Sequence, residues 1–224
     1  ILSDLAILPM HLSRIAEDFI IWSSDEFNFV EGDDAHYTGS SMMPNKKNPD
    51  PFELIRSYSG KIYGDLLSVL VMMKGLPLTY NRDMQLDKPP LFESIEKIQE
   101  MLSIMTKVLY GIKVNKEKMI KASKDNEYIF AADITEYLIG EKGYSNRDAH
   151  DICGKIVRHS SDNGKKISKM SDGELKERCK DLNEKDMVSL LNPLASVKRV
   201  KSYGGTNPNL VARQISIWNK KLNK

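Results

Sequence analysis

The sequence predicts an all-α protein: a bundle of long helices followed by a small helical C-terminal domain. Three observations predict it. Apolar residues recur at steps of three and four over three stretches of about 20 residues each, the periodicity of one helix face. The second half breaks into shorter helical patterns with serine caps and glycine stops. Strand patterns are nearly absent; Glu26-Phe27-Asn28-Phe29-Val30 alternates, but it is too short to stand alone.

Leu5, Leu8, Leu12, Ile15, Phe19 and Trp22 mark the first helix, with Pro9 expected to kink it. The chain begins Ile1-Leu2-Ser3-Asp4-Leu5, already in a helical pattern, and is expected to continue a helix whose N-terminal side lies elsewhere. Residues 31–49 carry no periodicity and two prolines, Pro44 and Pro49, which predicts a long loop. Asp50-Pro51 is a helix start, an N-cap followed by proline. Phe52, Ile55, Ser59, Ile62, Leu66, Val69 and Met73 then form a face that ends at Lys74-Gly75, a cation and a C-cap glycine. A second irregular stretch covers 75–90. Leu91, Ile95, Ile98, Leu102, Met105, Leu109 and Ile112 repeat the same seam. Such faces imply long, nearly parallel packing, and further helices are needed to cover three of them. The second half predicts helices near 115–123, 128–141, 146–163, 172–181, 184–191 and 208–222. Ser145 and Ser171 are caps, the latter with Glu174 completing a capping box, and Gly143 and Gly164 are stops.

Net charge is +2 over 224 residues, but it is unevenly spread. Residues 1–112 hold 10 Lys+Arg against 16 Asp+Glu, a net of −6, and residues 113–224 hold 23 against 15, a net of +8. This asymmetry predicts a boundary near 112, with a bundle domain carrying the 31–49 loop before it and a small domain at 113–224 after it. The basic half has its lysines scattered among acids with no aromatic-rich motif, so no nucleic-acid partner is expected. No apolar run reaches the ~20 residues of a membrane span, and no signal-peptide pattern stands at the start. Cys153 and Cys179 make neither a disulfide framework nor a metal spacing, which fits a reducing cytoplasm. No metal and no cofactor is expected.

The densest candidate site is Thr38-Gly39-Ser40-Ser41-Met42-Met43-Pro44-Asn45-Lys46-Lys47-Asn48-Pro49-Asp50. Glycine and two small hydroxyls precede two lysines and a helix start. A helix N-terminus offers free N–H groups and about half a positive charge, so the combination suits a carboxylate or phosphate. A serine here could act as acid or base. As a base, its hydroxyl pKa of about 13 has to fall by about 6, worth ~8 kcal/mol, which Lys46, loop amides and the helix terminus would supply in part. The same residues also suit a plain flexible linker.

Gly39-Ser40-Ser41-x-Met43-Pro44-x-Lys46-x-Asn48-Pro49 resembles the signature of the fumarase/aspartase superfamily. The segments downstream resemble its argininosuccinate lyase branch: Glu53-Leu54-Ile55-Arg56, Lys74-Gly75-Leu76-Pro77-Leu78-x-Tyr80-Asn81-Arg82-Asp83, and Gln85-x-Asp87-Lys88-x-Pro90-Leu91-Phe92. Ala132-Asp133, Ala149-His150, Ser196-Val197 and Gly204-Gly205-Thr206 continue it, so the resemblance covers nearly the whole chain. Asn45 and Leu86 depart from it, at positions outside the catalytic set.

The resemblance implies the central helical-bundle domain of that fold, truncated, and anti elimination of argininosuccinate to arginine and fumarate within arginine biosynthesis. It implies Ser40 as the acid/base residue, Lys46 and Asn48 as holders of the substrate carboxylate, and Tyr80, Gln85, Lys88, Ser41 and Met43 as substrate-binding residues. It also implies a homotetramer whose sites are assembled from several subunits. The family's catalytic histidine has no match among His11, His36, His150 and His159. The chain alone is therefore expected to be inactive. Adenylosuccinate lyase, aspartase and the non-catalytic delta-crystallins are the alternatives within the superfamily.

Overall fold

The computed structural model describes residues 1–39, 43 and 47–223. Ten α-helices occur among the described residues, with four two-residue strands. The chain divides into two compact units, Ile1–Met119 and Ile120–Lys224.

The first unit is an up-down-up arrangement of α1 (Leu2–Ser23), α2 (Asp50–Met73) and α3 (Lys88–Tyr110), with α2 packed against both neighbours. α1 runs through Pro9 without interruption, and the proline is buried in its packed face. The core holds Ala6, Leu12, Ala16, Phe52, Ile55, Ile62, Ile98, Met101, Met105 and Val108. Phe19 stacks on Phe52 with ring centroids 5.0 Å apart. On α2 the predicted face is the buried one from Phe52 to Ile62, half-buried at Leu66 and Val69, and exposed by Met73. On α3 the buried face is Ser94, Ile98, Met101, Met105 and Val108. The predicted seam is buried at Ile98 and Met105, but Leu102 and Leu109 are exposed, and Met101 and Val108, one position before each, take the core places. Ser94 is the reason: its hydroxyl hydrogen-bonds Asp65 at 2.9 Å, so a polar residue holds a core position. Lys61 bridges Asp65 and Glu93 beside it.

Two short ladders finish the unit. β1 (Val30–Glu31) pairs antiparallel with β4 (Lys113–Val114), and β2 (Thr38–Gly39) pairs with β3 (Lys47–Asn48). Gly32 lets the chain fold over Tyr37, because a Cβ at this position would lie 2.2 Å from the tyrosine ring. Gly75, at φ +74°, ends α2 as predicted.

The second unit closes around its own core of Ile134, Leu138, Ile156, Ile167, Leu175, Leu182, Met187 and Leu190. It is built from α5 (Ala131–Gly140), α6 (Asn146–Asp162), α7 (Asp172–Lys176), α8 (Glu184–Leu190), α9 (Pro193–Arg199) and α10 (Pro208–Leu222), with α4 (Lys116–Asp125) leading into it. Ser145 caps α6, and Ser171 with Glu174 forms the capping box of α7. α7 stops at Lys176, short of the predicted 181, because the chain turns to bury Cys179 and Leu182. α9 has no counterpart among the predicted helices; Asn192 caps it and proline comes next. Both cysteines are free and buried.

Candidate active site

The serine loop is carried on a stalk. Its legs are β2 and β3, in register at Thr38↔Asn48 and Gly39↔Lys47. Ser40, Ser41 and Lys46 lie outside the described residues; Met43, Lys47 and Asn48 lie within them. Asp50 is the first residue of α2, with Pro49 in the cap position and no side-chain cap bond. Its carboxylate instead accepts the Thr38 hydroxyl through Oδ2, while Oδ1 is buried with no hydrogen-bond partner among the described residues. The predicted N-cap role of Asp50 is thus replaced by a tie between the incoming leg and the helix start.

The outgoing leg is tied as well. The Lys47 ammonium lies 2.7 Å from Glu31 Oε1 and 2.6 Å from Asp34 Oδ1. The hydrogen bond to Asp34, then that to Glu31, raises the Lys47 pKa well above the ordinary lysine range. The same contact with Lys47 lowers that of Asp34. Residue spacing does not show this contact. Its only signal is the acidic run Glu31-Gly32-Asp33-Asp34 upstream of a double lysine.

Beside the stalk is a cleft of about 620 Å³ lined by Met43, Lys47, Asn48, Tyr37, Ser23 and Glu26, among others. The structure thus brings predicted residues Met43 and Asn48 into one cleft. Asp25, Glu31 and Glu53 also line it. Hydrogen bonds from its own backbone N–H, then from Ser24, hold Glu26 below the usual carboxylate range. Lys47 is the one cation among the described lining residues, and two carboxylates already engage it. These walls suit a cationic group. A carboxylate substrate would need its counter-charge from Lys46 or from groups outside this cleft.

Tyr80, Gln85 and Lys88 are elsewhere. They lie on and around a 3-10 turn, Arg82–Asp87, that joins the far end of α2 to α3. All three are exposed, Tyr80 at 65%. Lys88 pairs with Asp87 at 2.6 Å and donates to the Met84 carbonyl at 3.3 Å. α2 has 24 residues and is roughly 36 Å long at ~1.5 Å per residue, and this segment sits toward its far end from the stalk, before α3 returns to bring Glu93 and Ser94 level with Lys61 and Asp65. Among the described residues, Asn48 and the Tyr80–Lys88 group therefore lie toward opposite ends of α2.

Of the histidines, His11 and His150 are exposed and His36 is half-buried. His159 is tied into the second unit by Arg178, Asn163 and Glu174. Among the described residues no cluster of His, Cys, Asp and Glu could hold a metal, and no helix is long and apolar enough to cross a membrane.

Known proteins match both units. Residues 1–64 match the lyase family model, and residues 128–198 match the model of the argininosuccinate lyase C-terminal domain. Argininosuccinate lyase from Caldicellulosiruptor saccharolyticus is 47% identical over 214 residues, covering 96% of this chain and 46% of its own length. That from Caldicellulosiruptor bescii is 44% identical over 223 residues, covering 100% of this chain and 48% of its own.

The chain belongs to the argininosuccinate lyase family.

It spans about half the length of the curated relatives it matches. Among solved structures, a variant of EDDS lyase with bound fumarate aligns at TM-score 0.85 and 25% identity, over 99% of this chain and 45% of that one. A class II fumarase from Schistosoma mansoni aligns at TM-score 0.68 and 21% identity, over 86% and 37%, which extends the shared helical fold to that enzyme. As an argininosuccinate lyase homologue, the chain has the superfamily's helical fold as its sequence predicted.

Proposed function

We propose that this chain is the serine-loop portion of an enzyme that cleaves argininosuccinate to arginine and fumarate, in the cytoplasm and in the service of arginine biosynthesis. The observation that carries the proposal is the superfamily signature at 39–49, mounted on a paired stalk at the start of α2 in a chain 44–47% identical to proteins named argininosuccinate lyase. In this reading a proton leaves the succinyl carbon next to a carboxylate, and the electron pair is held as an aci-carboxylate. The C–N bond then breaks, and the leaving arginine nitrogen takes a proton. Ser40 is the acid/base group. Lys46 and Asn48 hold the carboxylate as its charge grows, a role in which oriented donors contribute several kcal/mol. Met43 and Ser41 line the substrate, and no cofactor takes part.

The separation along α2 bears on assembly. Tyr80, Gln85 and Lys88 would serve the serine loop of another copy, so the active enzyme is an assembly of subunits, a homotetramer in this reading. This polypeptide alone is expected to be inactive. Incubation of the purified chain with argininosuccinate, with fumarate followed by its ultraviolet absorbance, tests that; steady turnover abolished by Ser40→Ala would refute it. In an active assembly, Ser40→Ala is expected to lower kcat by a factor of about 10² to 10⁴. A substrate panel including adenylosuccinate and aspartate checks the specificity.

A further inference from the structure

We infer that Lys47 is a positioning residue: it clamps the outgoing leg of the serine loop to the other ladder of the unit and does not bind substrate. The inference rests on the reading of residues 40–46 as the catalytic loop, and it separates the roles of two adjacent lysines.

A two-residue ladder is too short to hold a loop by its backbone bonds alone. The incoming leg has the Thr38–Asp50 hydrogen bond to the start of α2. The outgoing leg has Lys47, whose ammonium sits between Glu31 and Asp34 at 2.7 and 2.6 Å. Glu31 is fixed in turn, because it pairs with Lys113 in the β1–β4 ladder, whose second strand comes just after α3. Lys47 therefore joins the two ladders, and through them the loop base to the end of α3. An exposed ion pair is weak by itself, but here two carboxylates hold one ammonium, and the element they secure is small. An ammonium already held by two carboxylates is a poor partner for an anionic substrate, which leaves that task to Lys46.

Amide hydrogen exchange on this chain tests the clamp. Lys47→Met is expected to speed exchange at Thr38, Gly39, Lys47 and Asn48 by about tenfold, leaving Ile55 and Ile62 in α2 unchanged. Lys47→Arg should restore the rates to within about twofold, since a guanidinium can also pair with two carboxylates. Glu31→Gln with Asp34→Asn should reproduce the Lys47→Met result through the other partners. Unchanged exchange in both the lysine and the double acid variant overturns the inference, as does failure of arginine to rescue. If Lys47→Met unfolds the chain while the folded double acid variant exchanges at the native rate, the inference is overturned too. In the active assembly, Lys47→Met should lower kcat several-fold with KM within about twofold; a rise in KM alone would assign Lys47 to substrate binding instead. Exchange is measured without turnover. An inactive assembly would thus sink the proposed activity and leave the clamp standing, and native exchange in an active lyase would sink the clamp alone.

Discussion

The two units of this chain use the same material to different ends. In the second unit, short helices close on a core in which Ile134, Leu138, Ile156 and Leu175 are fully enclosed. Side-chain bonds between distant segments reinforce it: Tyr137 to Asp186 at 2.8 Å, and Ser196 and Arg199 to Asp133 at 2.9 and 2.6 Å. In the first unit, three long helices bury one seam and leave another bare. Leu67 is 61% and Leu70 57% exposed, and Val71, Met73, Leu102 and Leu109 join them. For the helices that form the two cores, α5 to α8 in one and α1 to α3 in the other, helix length explains the difference. A short helix can turn its apolar stripe wholly onto its neighbours, whereas a helix of more than 20 residues with apolar groups on adjacent faces needs neighbours on more than one side. The second unit closes its core with α5 to α8, while α10 lies outside that core with Val211, Ile215, Trp218 and Leu222 exposed; the first unit has apolar surface on the long helices that form its core.

The strongest way to break this comparison is to truncate each core. Phe52→Ala should destabilise the first unit by about 3–5 kcal/mol, and Ile156→Ala the second by about 2–5 kcal/mol. Trp22, edge-on to Phe19 at 5.4 Å, reports the first unit in a Trp218→Phe background, and the amide signals of Ile134 and Leu138, followed by NMR through the denaturant series, report the second. Denaturant midpoints should move for the mutated unit alone. Equal shifts in both reporters would mean that the units unfold as one.

Next in size is Glu174→Gln, which removes a charge at the centre of the second unit's polar network. The Glu174 carboxylate accepts from Lys165 Nζ at 2.8 and 2.6 Å, from the Ser171 N–H and hydroxyl at 2.7 and 2.9 Å, and meets His159 at 3.3 Å. Lys165 first, then the Ser171 bonds, hold its pKa far below the usual carboxylate range. A lowered folded-state pKa means the stabilisation is complete above the unfolded value of about 4.3 and is lost as pH falls below it. The variant should therefore be less stable than the parent at pH 7, with the gap closing on acidification toward pH 3. A gap independent of pH, measured by urea unfolding, would show that the charge contributes nothing. Ser171→Ala, which removes the hydroxyl of the same capping box, should cost about 1 kcal/mol by the same measurement.

The smallest expected effect on the chain's own stability sharpens the contrast most. Leu70→Ser on the bare face should change it by no more than about 0.5 kcal/mol, as for other exposed positions, while weakening self-association in sedimentation experiments. A loss above about 2 kcal/mol would mean that the face is already covered within the chain.

Much of this is legible in the sequence, and the gaps have physical causes. The α2 seam is visible because apolar residues and one tolerated serine keep strict spacing. The α3 seam reads correctly at Ile98 and Met105 and one position late at Leu102 and Leu109, because apolar residues occupy two adjacent rows and Ser94 disguises the buried one. α9 is hidden because seven residues carry too little periodicity, although Asn192-Pro193 is a cap followed by proline. The loop is visible as chemistry, since its residue types and spacing are unusual. Its stalk is not, because the Lys47 clamp depends on carboxylates 16 and 13 residues upstream. Nor can residue spacing alone show that Tyr80, Gln85 and Lys88 stand apart from Asn48; that emerges only once 50–73 is known to be one unbroken helix.

That unbroken helix also behaves as a ruler with a phase. One residue inserted between Asp50 and Met73 would push its far end outward by ~1.5 Å and rotate it by about 100° relative to the stalk. The Tyr80–Lys88 group would then face a different direction, even if every side chain on α2 stayed apolar where it should be. Substitutions along α2 can be absorbed one contact at a time, but a change in its length cannot. The smallest change that returns the far end to within about 20° of its original heading is about seven residues, two turns, and it does so some 10 Å out of place.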